Sequence, residues 1–103
     1  ANIGNPAYAA SKAAAVSLTK TLGQAWARYG IRVNGLAPGL IPTKLTAVTT
    51  ENSQRMEASL QAIPLCRPGT PDEMAGVALF LASPLASYVQ GHTVIADGGL
   101  TLS

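Results

Sequence analysis

Tyr29-Gly30-Ile31-Arg32-Val33-Asn34-Gly35-Leu36-Ala37-Pro38-Gly39 decides the architecture of this 103-residue chain. It reads as the last residue of a helix, a one-residue glycine corner, a strand from Ile31 to Ala37 and a Pro-Gly stop. Glycine at position 30 tolerates the left-handed conformation that ends helices, which makes the corner abrupt. A helix turned by one residue into a strand is a building piece of α/β layer folds.

Upstream, Asn5-Pro6 forms a plausible helix start, with Asn as N-cap and Pro at the first helical position. Strong helix formers then run to about Tyr29. Ala7, Ala10, Ala13, Ala14, Ala25 and Ala27 let this helix approach a neighbour closely, while Val16, Leu18, Leu22 and Trp26 give it bulk. Gly23 costs helix stability and marks a tight contact rather than a break. Downstream of the strand, Leu40 to Leu65 is weakly patterned, with Thr43, Thr46, Thr49 and Thr50 depressing regularity. Within it, Glu51 to Ile63 can form a helix with Met56, Leu60 and Ile63 on one side. A long connection at a strand's carboxyl end is either a substrate loop or a solvated one.

Thr70-Pro71-Asp72-Glu73 is a capping box: Thr as N-cap, Pro at the first position and Glu at the third. Met74, Val77, Ala78 and Leu81 follow at helical spacing as an apolar face, and Ser83-Pro84 stops the helix. Tyr88 to Gly91 turns the chain into a second strand, His92 to Asp97, closed by Gly98-Gly99. The order helix, strand, loop with helix, helix, strand predicts an α/β layer whose two strands run parallel. Asn34, inside a strand, is read as satisfying neighbouring backbone; His92, Asp97 and Cys66 are also read as structural.

Composition excludes several classes of function. Only 12% of residues are charged against 48% apolar, so the chain should expose apolar surface that packs on a partner or on more of a larger protein. The net charge of +2 is scattered, with Arg28 and Arg32 the closest basic pair, and no basic stripe carries interleaved aromatics, so nucleic acid is not an expected partner. The longest apolar run, Met74 to Ala82, is too short to span a bilayer, and no signal peptide is apparent. A single cysteine, Cys66, fits a reducing compartment, and the expected location is cytoplasmic.

Tyr8 and Lys12 carry the chemistry. Four residues apart on a helix, they lie one turn from each other on one face. An ammonium near a phenol favours the phenolate and lowers the tyrosine pKa from about 10 toward neutrality. Such a tyrosine can protonate a carbonyl oxygen or deprotonate a hydroxyl at physiological pH.

Four stretches in order, Tyr8-Ala-Ala-Ser-Lys12, Arg32-Val-Asn-Gly-Leu-Ala-Pro-Gly39, Pro71-Asp-Glu-Met-Ala75 and Gly91-His-Thr-Val-Ile-Ala-Asp-Gly-Gly99, make the chain resemble the C-terminal part of a short-chain dehydrogenase/reductase. It is similar to the 3-oxoacyl-ACP reductase-like and polyol dehydrogenase-like members. The resemblance covers essentially the whole chain. It implies the C-terminal portion of a doubly wound, Rossmann-like parallel sheet, with residues 1–103 a partial domain whose N-terminal dinucleotide-binding half is absent. It implies NAD or NADP as cofactor and a small alcohol or carbonyl compound as substrate. Tyr8 would be the proton donor, and Lys12 would hold the nicotinamide ribose while depressing the Tyr8 pKa. Pro38 and Gly39 would end the strand beside the nicotinamide, where a glycine lets backbone approach the ligand. Ile41 and Thr43 match positions that meet the carboxamide or the diphosphate.

The family's catalytic Ser and Asn have no counterpart in these residues, and no Gly-x-x-x-Gly-x-Gly loop occurs to cradle a diphosphate. The expected function is therefore part of an NAD(P)-dependent oxidoreductase interconverting an alcohol and a ketone or aldehyde. The isolated chain is expected to be inactive and to associate with its own kind or with the missing half. The alternative is a catalytically silent packing or assembly module.

Overall fold

A computed structural model describes residues 6–39, 57–58 and 60–102. Helix α1 spans Pro6–Trp26, strand β1 Gly35–Pro38, helix α2 Pro71–Ala82 and strand β2 Thr93–Ala96. The two strands are hydrogen-bonded neighbours. The Gly35 N–H donates to His92 O at 2.8 Å and the Gly39 N–H to Ala96 O at 3.0 Å, so both chains advance in the same sense and the pair is parallel. By packing, the chain divides into two units: Ala1–Leu36 with Ala78–Val94, and Ala37–Val77 with Ile95–Ser103.

In the first unit the alanine-rich α1 tightens into a 3₁₀ turn over Ala27–Tyr29, and Gly30 ends it at φ 74° with its N–H on Ala27 O. The expected corner is therefore present. Gly23 is buried, and a Cβ there would lie 2.8 Å from Gly91 Cα and 3.0 Å from Gly91 N. The helix thus touches the turn before β2 backbone to backbone, the close contact its glycine announced. Gly35 permits a second approach, since its Cβ would fall 2.9 Å from Thr93 Oγ1 and 3.3 Å from Thr19 Oγ1.

The strands are shorter than the expected Ile31–Ala37 and His92–Asp97 because side chains replace ladder bonds at their starts. The Gln90 amide donates to Gly23 O at 2.6 Å and Ile31 O at 3.0 Å, and its Oε1 accepts from the Val33 N–H at 3.0 Å. Asn34 Nδ2 donates to Val89 O at 3.0 Å, and its Oδ1 accepts from the His92 N–H at 3.1 Å. Asn34 therefore satisfies neighbouring backbone, as its position in the sequence implied.

Arg32 also bonds far along the chain. Its guanidinium donates to Leu81 O at 2.8 Å, Ala86 O at 2.9 Å and Ser83 O at 3.2 Å. The last turn of α2 contains no basic residue of its own, so Arg32 supplies from a distance the positive charge and donors that a helix C-terminus needs. Ser83 stops α2 as expected; its Oγ accepts from the Leu85 N–H at 3.2 Å and opens the 3₁₀ turn Pro84–Ala86.

In the second unit the capping box is complete. Thr70 Oγ1 accepts from the Glu73 N–H at 3.1 Å, and Glu73 Oε1 accepts from the Thr70 N–H at 3.0 Å. Arg67 adds a two-pronged contact to the same carboxylate, 2.8 Å to each oxygen. Residues 57, 58 and 60–62 are helical, in the stretch where a helix was expected, with Leu60 half-buried and Ile63 only 2% exposed. Asn5, Leu40 and the residues up to Met56 lie outside the described residues.

Met74, Val77 and Leu81 are half-buried along one side of α2, whereas Ala78 is exposed. Among the described residues the buried hydrophobic side chains are Ile63 and Ala86, while Leu79 is 72% and Leu85 82% exposed and Tyr88 fully so. The chain therefore presents the uncovered apolar surface its composition predicted. No helix among the described residues is long and apolar enough to cross a membrane.

Candidate active site

Tyr8 and Lys12 lie on the first two turns of α1, one turn apart in unbroken helix. Lys12 is half-buried, and among the described residues no hydrogen-bond or ion-pair partner is found for its ammonium. A cation in that setting is available to a hydroxyl or anion supplied by a ligand.

Pro38 is the exposed last residue of β1, and Gly39 follows it. Within the protein, one demand for glycine here is visible. A Cβ at Gly39 would lie 2.6 Å from Asp97 Cβ and 2.7 Å from Asp97 Cα, so neighbouring protein backbone already uses the space that a side chain would fill. Tyr8 and Lys12 belong to the first unit, and Pro38 and Gly39 to the second. Ile41 and Thr43, the remaining expected cofactor contacts, lie outside the described residues.

Asp97 follows β2 directly and caps the turn after it, accepting from the Gly99 N–H at 2.9 Å and the Thr101 N–H at 3.1 Å. Burial pushes its carboxyl up, but hydrogen bonds from the Thr101 side chain and the Gly99 and Thr101 backbone outweigh this. The net shift is below the ordinary value. An ionised carboxylate occupied with two N–H groups is a structural cap. His92 is exposed, Cys66 is exposed and free, and no cluster of metal-ligating side chains exists among the described residues. Sequence reasoning missed the roles of Arg32 and Gln90, whose partners lie roughly 50 to 70 residues away along the chain.

Parallel strands with helices around them, their carboxyl ends marked by Pro38-Gly39 and Asp97-Gly98-Gly99, place the chain in the α/β class of doubly wound, Rossmann-like folds. The chain belongs to the short-chain dehydrogenase/reductase family, with residues 1–101 matching the family model described as enoyl-(acyl carrier protein) reductase. It is 50% identical over 99 residues to the 3-oxoacyl-(acyl-carrier-protein) reductase of Chlamydia pneumoniae, covering 95% of this chain and 39% of that protein. It is 46% identical over 94 residues to the 2-dehydro-3-deoxy-D-gluconate 5-dehydrogenase of Bacillus subtilis, covering 91% of this chain and 37% of that one. Among solved structures it resembles a gluconate 5-dehydrogenase from Burkholderia cenocepacia in complex with NADP and tartrate. The TM-score is 0.81 at 41% identity, covering 93% of this chain and 38% of that one. The chain thus spans about two fifths of the length of the relatives it matches.

Proposed function

We propose that residues 1–103 form the C-terminal part of a doubly wound domain in an NAD(P)-dependent oxidoreductase that interconverts a small alcohol and a ketone or aldehyde. The observation that carries this reading is the placement of Tyr8 and Lys12 one turn apart on continuous helix, with Lys12 half-buried and no partner found for its ammonium among the described residues. The bound NADP of the Burkholderia cenocepacia structure and the reductase and dehydrogenase names of the other relatives support it.

In this mechanism Tyr8 moves the proton at the substrate oxygen, giving it to a carbonyl during reduction and taking it from a hydroxyl during oxidation. Lys12 would stabilise the Tyr8 phenolate through its positive charge and would donate to the ribose hydroxyls of the cofactor. By the family resemblance, Pro38, Gly39, Ile41 and Thr43 are the residues that would hold the nicotinamide end of the cofactor. The nicotinamide, when bound, supplies or accepts the hydride. Much of the rate gain comes from holding the reacting carbon in place and stabilising charge on its oxygen.

The test is kinetic, in the polypeptide that contains this chain. Tyr8→Phe should lower kcat by roughly 10²–10⁴-fold, the usual worth of general acid–base catalysis, and leave cofactor affinity unchanged. Lys12→Ala should lower turnover and cofactor affinity together, because its ammonium has two tasks. Retention of more than about a tenth of kcat in Tyr8→Phe would remove Tyr8 from the proton-transfer step.

A further inference from the structure

Helix α1 is held along one line of its surface. Among its described side chains Lys12, Val16, Thr19 and Leu22 are half-buried and Gly23 is buried, and the rest are exposed. At about 100° per residue, Lys12, Val16, Thr19 and Gly23 fall within about a quarter turn of one another around the axis, and Tyr8 falls in the same sector. The sector that carries the acid–base pair is therefore the one by which the helix is docked.

Three contacts on that sector hold it. A Cβ on Gly35 would lie 3.3 Å from Thr19 Oγ1, so Thr19 stands on the start of β1. Gly23 meets the backbone of Gly91, where a Cβ would come to 2.8 Å from Gly91 Cα. Gln90 adds a polar strut: its amide donates to Gly23 O at 2.6 Å and Ile31 O at 3.0 Å, and its Oε1 accepts from the Val33 N–H at 3.0 Å. One carboxamide thus ties the helix to the segment that leads into β1.

We infer that Gln90 is a positioning residue for Tyr8 and Lys12: its carboxamide fixes the azimuth at which α1 sits on this segment, and with it the place where the pair meets a ligand. The strut stands on these bonds alone; its consequence for turnover rests on the oxidoreductase reading. A rotation of about 10° about the helix axis moves a group about 6 Å from that axis by about 1 Å. A displacement of about 1 Å, imposed from a distance, is enough to cost about a hundredfold in rate. The two groups would not suffer equally. A lysine ammonium on its flexible four-carbon stem can follow such a shift, whereas a tyrosine ring has only two torsions to adjust. Loss of the strut should therefore fall on proton transfer rather than on cofactor affinity.

The test uses the polypeptide that contains this chain, with NADPH and a short β-keto ester as probe. Gln90→Met keeps the length of the side chain and removes both donors and the acceptor. It should lower kcat roughly tenfold to a hundredfold while NADPH affinity stays within about twofold. The same substitution is then made in Tyr8→Phe. With proton transfer through Tyr8 already lost, Gln90→Met should lower the residual kcat by less than about twofold. An equal fractional loss in both backgrounds, the mark of a smaller folded fraction, would overturn the positioning role, as would an unchanged kcat in the single variant. Gln90→Asn, one methylene too short to span the three partners, should give the same pattern and keeps the test decisive if Gln90→Met does not fold.

Hydrogen exchange of the Val33 amide reads the strut without turnover. Loss of its acceptor should speed that exchange roughly tenfold, and unchanged exchange would overturn the strut. No oxidation of NADPH by the unsubstituted enzyme would overturn the oxidoreductase reading and the positioning role with it, with the strut still decided by Val33 exchange.

Discussion

Gly23 and Gly76 are both helical glycines, and the structure makes opposite demands on them. Helix propensity favours alanine over glycine by about 1 kcal/mol at either position. At Gly76 nothing lies within 4 Å of the added methyl, so Gly76→Ala should raise stability by about 0.5–1 kcal/mol. At Gly23 the methyl would stand 2.8 Å from Gly91 Cα, about 0.7 Å inside the shortest comfortable carbon–carbon separation. Neither side can yield cheaply, because both are backbone. Gly91 is fixed at φ 69° with its N–H on Val33 O at 2.8 Å, and Gln90 beside it is bonded to Gly23 O itself.

Overpacking of this kind costs about 1–3 kcal/mol, and disturbing the Gln90 bonds adds to it, so the clash outweighs the propensity gain. Gly23→Ala should lose about 1–2 kcal/mol net, which for a chain of this size lowers Tm by roughly 5–15 °C. Gly76→Ala should raise Tm by roughly 2–8 °C. Thermal unfolding followed by circular dichroism, with a urea titration at fixed protein concentration, measures both. If the two substitutions shift Tm in the same direction, the contact between α1 and the turn at Gly91 does not exist as described.

Arg32→Met should cost about 2–4 kcal/mol in urea unfolding, because three carbonyls at the end of α2 lose a charged donor; Arg32→Lys should recover only part of it, since one ammonium does not reproduce the fork. Glu73 is held at about 2, below its ordinary 4.5, chiefly by its hydrogen bonds from Arg67. Its folded pKa is depressed, so the stability it contributes is present above about 4.5 and is lost as pH falls toward 2. Glu73→Gln should flatten acid unfolding in that window, by a small and salt-sensitive amount because the ion pair is solvent-exposed. Thr93 Oγ1 is buried without a hydrogen-bond partner among the described residues, so Thr93→Val should raise stability by about 1 kcal/mol. A loss of that size in calorimetry would show that the hydroxyl is bonded.

What the sequence revealed follows from how far each interaction reaches along the chain. The capping box spans four residues, so Thr70 and Glu73 were legible before any coordinates. Gly30 and Ser83-Pro84 were legible for the same reason, and Tyr8 with Lys12 because helical register fixes their spacing. The strand starts were not legible. Gln90 bonds the backbone of Ile31 and Val33, and Asn34 that of Val89 and His92, each from 55 or more residues away, and alternation of apolar residues carries no trace of that. Arg32 left one faint signal: an arginine in a corner of a charge-poor chain needs acceptors, and α2 ends without a basic residue. Gly39 was legible as a close approach, but the sequence could not say that Asp97 was what approached. Ile41 and Thr43 fall outside the described residues and stay proposals.

Gln90 carries a consequence for how sequence change is judged at this joint. Its amide orientation is settled by three partners, two carbonyls facing Nε2 and one N–H facing Oε1. A chemical-similarity scale ranks glutamate as the mildest replacement, and a single nucleotide change, or slow deamidation in an ageing sample, is enough to make it. Here that exchange removes both donors and points a negative oxygen at two carbonyl dipoles. A smaller neutral residue would merely leave the three backbone groups to find water. The usual order of conservative and drastic substitutions is therefore inverted at this one position.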